Sequence, residues 1–237
     1  MILKKRLLSL GFLFLLWGTP TYATFEDFTT YSTSGSAKYT VTASKILLSS
    51  FDKRETHCSW KDYGASNFGN FDHRYECKVS EPAQWGEGVC WSLSNLTPGT
   101  QTGCSDPIVT AGAGIIVKYI RWGSAPDDLR ITLQNVDASS TDGTTGLAQT
   151  TLYYYTTVRT GSTITNKIYS DAIRTTLIDT QTVTHSSTAY RYVGAASSKD
   201  ETVNSNNSTV YTENLEFIVA ATQTTLQAMT LQGATIQ

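Results

Sequence analysis

Charge is scarce in this chain, and so are histidine, proline and cysteine: of 237 residues, 18 are Lys or Arg, 20 are Asp or Glu, three are His, five are Pro and four are Cys. No Lys/Arg cluster follows residue 6, so nothing here tracks a phosphate backbone, and nucleic acid is excluded as a partner. The cysteines form no CxxC pair and His57, His73 and His185 are scattered, which removes the ligand spacing of a zinc site. There is no G-x-S-x-G turn to present a nucleophile, no P-loop and no G-x-G-x-x-G; Gly112-Ala113-Gly114 stands before a strand-like run and reads as a turn. The longest apolar run, Leu7 to Trp17, is shorter than the ~20 residues a membrane helix needs. No membrane span is expected.

That run has another use. Lys4, Lys5 and Arg6 precede it, and Gly18, Thr19, Pro20 and the small-residue site Thr21-Tyr22-Ala23 follow, which is the order of a secretory signal peptide over residues 1–23. Cleavage after Ala23 takes the formal charge from −2 to −5, because three cations are lost, and leaves 214 of the 237 residues, enough for one large β domain over 24–219 with a tail after it. Export places Cys58, Cys77, Cys90 and Cys104 in an oxidising compartment, where disulfides are expected. Four cysteines allow three pairings. Joining nearest neighbours in sequence gives Cys58 with Cys77 and Cys90 with Cys104, across segments read as adjacent strands or a strand and its loop.

What is abundant is Thr, Tyr, Val and Ile in alternating order. Within Thr150 to Asp171, Tyr153, Tyr155 and Thr157 fall on one side of an extended chain and Leu152, Tyr154, Thr156 and Val158 on the other. Thr160-Gly161-Ser162 turns the chain before Ile164 and Ile168 return, a hairpin pattern. A second hairpin is predicted over 115–135, where Leu129, Ile131 and Leu133 alternate with Arg130, Thr132 and Gln134. Shorter strands are expected at 39–43, 46–49 and 89–93, and Asp137 to Gly146 reads as a polar, mobile loop. Residues 220–237 have no charged side chain, which suits an extra strand on a sheet edge of this or a neighbouring copy, and hence a homo-oligomer. Sequons stand at Asn95, Asn206 and Asn207.

Several of these stretches carry a resemblance. They are Asp27-Phe28-Thr29-Thr30-Tyr31; Trp60-Lys61-Asp62-Tyr63-Gly64; the Phe68 to Phe71 link with Asp72-His73-Arg74-Tyr75-Glu76; the hairpin with AIRTTLIDT and TAYRYV after it; and Tyr211 to Phe217. Together they resemble the concanavalin A-like (LamG-like) jelly-roll domains of phage, bacterial and environmental secreted proteins, across the mature chain to about residue 217. The resemblance implies an all-β jelly-roll sandwich of two antiparallel sheets and an extracellular or cell-surface location. It carries no active site. Relatives that hydrolyse glycans use an E-x-D-x-x-E strand absent here, and Asp72, Arg74 and Glu76 on one strand face read as a self-compensating surface. Calcium accompanies many relatives. Asp127, Asp128, Asp137 and Asp142 offer oxygens but match no defined calcium loop, so no metal or cofactor is expected.

The function expected is therefore a secreted, non-catalytic module that binds carbohydrate or a glycan surface, with Trp60, Trp85, Trp122 and Tyr154 as the rings that reach solvent. Trp85 lies in a Gly-flanked loop, Trp122 ends a strand and Tyr154 points away from Tyr153 and Tyr155. The rival reading is a structural protein that self-assembles through sheet edges and the uncharged tail.

Overall fold

In the computed structural model the described residues are 21–34, 39–49, 57–65, 67–80, 86–95, 114–121, 129–135, 140–185, 189–198 and 209–220. Apart from one 3-10 turn, Phe28–Thr30, the regular structure among them is all strand: β1 (Thr21–Phe25), β2 (Ser32–Ser34), β3 (Tyr39–Val41), β4 (Lys45–Leu48), β5 (His57–Asp62), β6 (Phe71–Ser80), β7 (Gly86–Ser94), β8 (Gly114–Arg121), β9 (Leu129–Asn135), β10 (Ser140–Leu147), β11 (Leu152–Thr160), β12 (Thr163–Tyr169), β13 (Leu177–Thr184), β14 (Tyr192–Ser198) and β15 (Thr209–Ala220). Sheet A has the order β13-β12-β11-β6-β15-β4-β3, with β1 also on β15; sheet B has the order β10-β9-β8-β7-β14-β5-β2. Both are antiparallel, and neighbours distant in sequence, such as β6 and β15 or β7 and β14, make this a jelly-roll sandwich. The compact unit is Ala23–Val219.

The two predicted hairpins form. Strand β11 runs into β12 through Gly161, whose φ of 62° at the first turn position suits glycine and gives the II′ geometry that matches strand twist. Strand β8 pairs with β9 along its length. The stretch read as a mobile loop is different. Residues Ser140–Leu147 form β10, the edge of sheet B, pairing with β9 from Ser140 opposite Asn135 to Leu147 opposite Leu129. Asp142, Gly143 and Gly146 lower the strand propensity that its threonines would give, and a neighbour's ladder supplied what local sequence lacked.

Inward positions build the core. On β6, Phe71, His73, Tyr75, Cys77 and Val79 are buried and the residues between them face out. The rings of Tyr155, Tyr75 and Trp91 stack, with centroids 5.1 and 5.8 Å apart, and carry the core from β11 and β6 of sheet A to β7 of sheet B. Beside them Cys77 and Cys90 form a disulfide with Cα atoms 5.8 Å apart. This overturns the pairing of nearest cysteines. Strand β5 lies next to the rim of sheet B, whereas β6 and β7 are the middle strands of their sheets and Cys77 and Cys90 both face inward from them. Cys58 is buried on β5, and Cys104 lies outside the described residues.

A hydrogen-bonded polar chain also crosses the sandwich. Tyr75 Oη and Thr157 Oγ1 are 3.1 Å apart, Thr157 Oγ1 donates to Asn166 Oδ1 at 2.9 Å, and Asn166 Nδ2 donates to Gln181 Oε1 at 3.0 Å. Gln181 Nε2 then donates to the Ile131 carbonyl of sheet B at 2.9 Å and to Thr144 Oγ1 at 3.1 Å. Strand β13, at the rim of sheet A, is capped from sheet B as well. Its Thr182 N–H donates to the Asp142 carboxylate at 2.9 Å, and Asn135 Nδ2 donates to the Thr184 carbonyl at 2.5 Å.

Candidate functional site

Because β11, β12, β6, β15 and β4 each turn alternate residues inward, the others meet on the outer face of sheet A. Register then decides who sits beside whom. Tyr169 lies opposite Tyr154, Tyr154 opposite Glu76, Glu76 opposite Glu213 and Glu213 opposite Lys45, a single row across five strands. With strands about 4.8 Å apart it runs about 19 Å. The next row holds Lys167, Thr156, Arg74 and Glu216, and on the other side stand Leu152, Lys78 and Tyr211.

The polar groups in these rows are organised among themselves. Lys45 Nζ is 3.4 Å from Glu213 Oε2 and 3.5 Å from the centre of the Tyr211 ring. Arg74 reaches Asp72 with two nitrogens, at 3.1 and 3.3 Å, so the expected compensation within that strand is real for this pair. Glu76 finds another partner. The bulge between Glu213 and Glu216, where Asn214 has a φ of 51°, brings Asn214 Nδ2 to within 3.1 Å of Glu76 Oε1. Desolvation raises the Glu76 pKa above the ordinary carboxylate value and the neighbouring Glu213 adds to this, while Asn214 opposes it. Desolvation also raises Tyr154, and pushes Tyr211 up to about 12. The face therefore presents the rings of Tyr154, Tyr169 and Tyr211, with acceptors and donors between them.

The loop after β12 closes one end. Asp171 accepts from Thr175 N and Thr175 Oγ1, both at 3.0 Å, and from Thr176 N at 2.5 Å, and these bonds hold its pKa down at about 2. Arg174 leaves this loop to donate to the Tyr155 carbonyl at 3.2 Å and stands 4.0 Å from Glu216 Oε1. Along the hairpin itself, a shallow trough of about 300 Å³ is walled by Thr156, Val158 and Thr160 of β11 and Thr163, Thr165, Lys167 and Tyr169 of β12.

Of the four rings proposed from sequence, the two that are described, Tyr154 and Trp60, lie on opposite faces of the sandwich. Tyr154 is half-buried on the outer face of sheet A, as its parity required, and Tyr153 and Tyr155 are core. Trp60 is half-buried on β5, opposite Gly194, whose neighbours Val193 and Ala195 face the core; it belongs to the outer face of sheet B, across the sandwich from Tyr154. Trp85 and Trp122 lie outside the described residues, as do Asn206, Asn207 and the tail beyond Ala220. Asn95 is exposed and donates to the Ala189 carbonyl at 2.8 Å. Asp142 caps β13, Asp127, Asp128 and Asp137 are outside the described residues, and among the described residues no His/Cys/Asp/Glu group is arranged to hold a metal. Tyr169, Tyr211, Glu213, Glu216 and Lys45 were missed. Their parity was readable, but the pairing of β15 with β6 and β4 joins segments more than 120 residues apart and leaves no local signal.

The two antiparallel sheets and their strand order define the concanavalin A-like lectin fold. Solved structures similar to it include legume lectins and VIP36. The lumenal domain of VIP36, in a Ca2+/Man3GlcNAc-bound form, has 11% identity over 86% of this chain and 92% of that one, with a TM-score of 0.52. Lectin II from Ulex europaeus has 10% identity over 82% and 97%, with a TM-score of 0.51. Basic winged bean lectin with Tn-antigen has 12% identity over 83% and 99%, with a TM-score of 0.50. At these identities the likeness is one of fold. No protein-family model matches the sequence, and no curated protein does. Among the described residues no helix is long and apolar enough to cross a membrane, and the disulfide is compatible with an oxidising compartment.

Proposed function

We propose that the chain is a secreted, non-catalytic module that binds a saccharide on the outer face of sheet A. The observation that carries this reading is the row Tyr169, Tyr154, Glu76, Glu213 and Lys45. A sugar ring has an apolar C–H face that packs on a phenol and a rim of hydroxyls that need both donors and acceptors, and the row offers each in turn. The neighbours bound to Man3GlcNAc and Tn-antigen support the choice of ligand class.

Tyr154→Ala and Tyr169→Ala should each weaken glycan affinity by about tenfold, roughly 1–2 kcal/mol, with an unchanged melting temperature, since neither ring is in the core. A glycan array on the mature protein followed by titration of these variants is the test. Failure of wild type to retain any glycan, or a lower Tm with unaltered affinity, would sink the reading.

One observation favours a second reading. Glu76 and Glu213 are cross-strand partners on one face, as two carboxyl groups flanking one bound sugar would be, and Glu76 holds its proton more tightly than usual. Reducing-end release from polysaccharides separates the two. The binding module releases none, and Glu76→Gln changes only its affinity; a hydrolase releases sugar and loses this in Glu76→Gln.

A further inference from the structure

Beyond the tyrosine row, the trough on the β11–β12 hairpin has features that a terminal sugar would not need. Its walls run along the strands, from Thr163 to Tyr169 on one side, about 20 Å of extended chain. The pairs Thr160 with Thr163, Val158 with Thr165 and Thr156 with Lys167 face each other across it, and Tyr154 with Tyr169 closes one end. Four of its seven lining residues, Thr156, Thr160, Thr163 and Thr165, are threonines, which carry a hydroxyl and a methyl each at intervals set by the backbone. None of the seven is acidic.

Lys167 is the only charge in the lining. It is exposed, its row neighbours are Thr156 and Thr180, and among the described residues it makes no ion pair. The nearby charges are otherwise engaged: Arg74 holds Asp72, Arg174 approaches Glu216, and Lys45 holds Glu213. An ammonium that pairs with no carboxylate among the described residues, in an otherwise uncharged, threonine-lined cleft, is complementary to a ligand that brings its own anion and is otherwise neutral and hydroxylated.

We propose that this trough is a lengthwise subsite for an internal segment of an unbranched anionic polysaccharide, whose carboxylate or sulfate pairs with Lys167 while its hydroxyls meet the threonines. The proposal rests on the saccharide-binding reading of the same face and specifies its ligand. The charged group selects; the tyrosine pair at the end of the trough anchors.

The test is affinity of the mature protein for linear polygalacturonate (carboxylate) and linear κ-carrageenan (sulfate), each against a neutral counterpart, galactan, at low salt and at about 1 M salt, where the screening length falls to about 3 Å. Wild type should hold at least one charged chain about tenfold more tightly than galactan, and the difference should vanish at high salt. Which of the two chains gains identifies carboxylate or sulfate as the anion. Lys167→Gln should bring the difference below twofold, Lys167→Glu should invert it, and melting temperatures should stay at the wild-type value because Lys167 is on the surface. Equal affinity for charged and neutral chains, or a charge preference that survives in Lys167→Gln, overturns the proposal. Its failure is distinct from failure of the underlying reading. In the first case Tyr154→Ala still weakens binding of every chain; in the second, wild type binds none of them or Tyr154→Ala changes nothing.

Discussion

His73 sits between Asp72 and Arg74, and sequence alone marks it as part of a polar run. Its ring is buried, 4.2 Å from that of Phe217, 4.7 Å from Phe71, 5.0 Å from Phe68 and 5.6 Å from Trp91. Its parity with Tyr75 and Cys77 on β6 puts it on the core face. Burial pushes its pKa down to about 3, so the folded protein keeps it neutral where the unfolded chain, near 6.5, takes up a proton. Between those values the unfolded state holds more protons, and stability falls as pH drops below about 6.5, down to about 3. His73→Phe removes this contribution. Thermal melts at pH 7 and pH 5 should show wild type losing roughly 2 kcal/mol more than the variant, and parallel curves for the two proteins would refute the assignment.

At the scale of elements, what could be read was what is local. The β11–β12 and β8–β9 hairpins follow from alternation and a Gly-containing turn, and they place Tyr154, Thr156 and Lys167 outward. Strand β10 could not be read, because its residues suit a turn as well as a strand and only pairing with β9 settles the matter. The candidate site was half legible for the same reason. Tyr154 and Glu76 lie on strands whose faces the sequence revealed, but Glu213 and Lys45 join them through non-local pairings. The disulfide shows the same limit, since distance along the chain misjudged which cysteines two stacked sheets would bring together. Non-reducing peptide mapping should recover the Cys77 peptide linked to the Cys90 peptide. The bond closes a separation of 13 residues, so Cys77→Ala with Cys90→Ala should cost about 3 kcal/mol in chemical denaturation. A map linking Cys77 to Cys58 would contradict the structure.

The whole sandwich depends on two sheets meeting in one alignment, and repeated chemistry makes that difficult here. Strands β12 and β13 carry Thr163, Thr165, Thr180, Thr182 and Thr184 on their outer face, so a slip of two residues would return every side chain to the same side with much the same neighbours. Hydrophobic alternation rejects a slip of one and tolerates a slip of two. The buried amides do not tolerate it. In register, Asn166 meets Gln181, and Gln181 in turn reaches the Ile131 carbonyl across the core; displaced by two, Asn166 would face Val183 or Asp179 and several buried donors would lose their acceptors together. Asn166→Leu should therefore cost about 2–4 kcal/mol and raise amide exchange along β13 before it does so along β6, a pattern that uniform loss of protection would disprove. The polar chain acts as a vernier: breaking it is costly, but its particular contribution is to make the position of the native well unique, and the placement of Thr163, Thr165 and Lys167 against Thr184, Thr182 and Thr180 is only as reproducible as that one buried alignment.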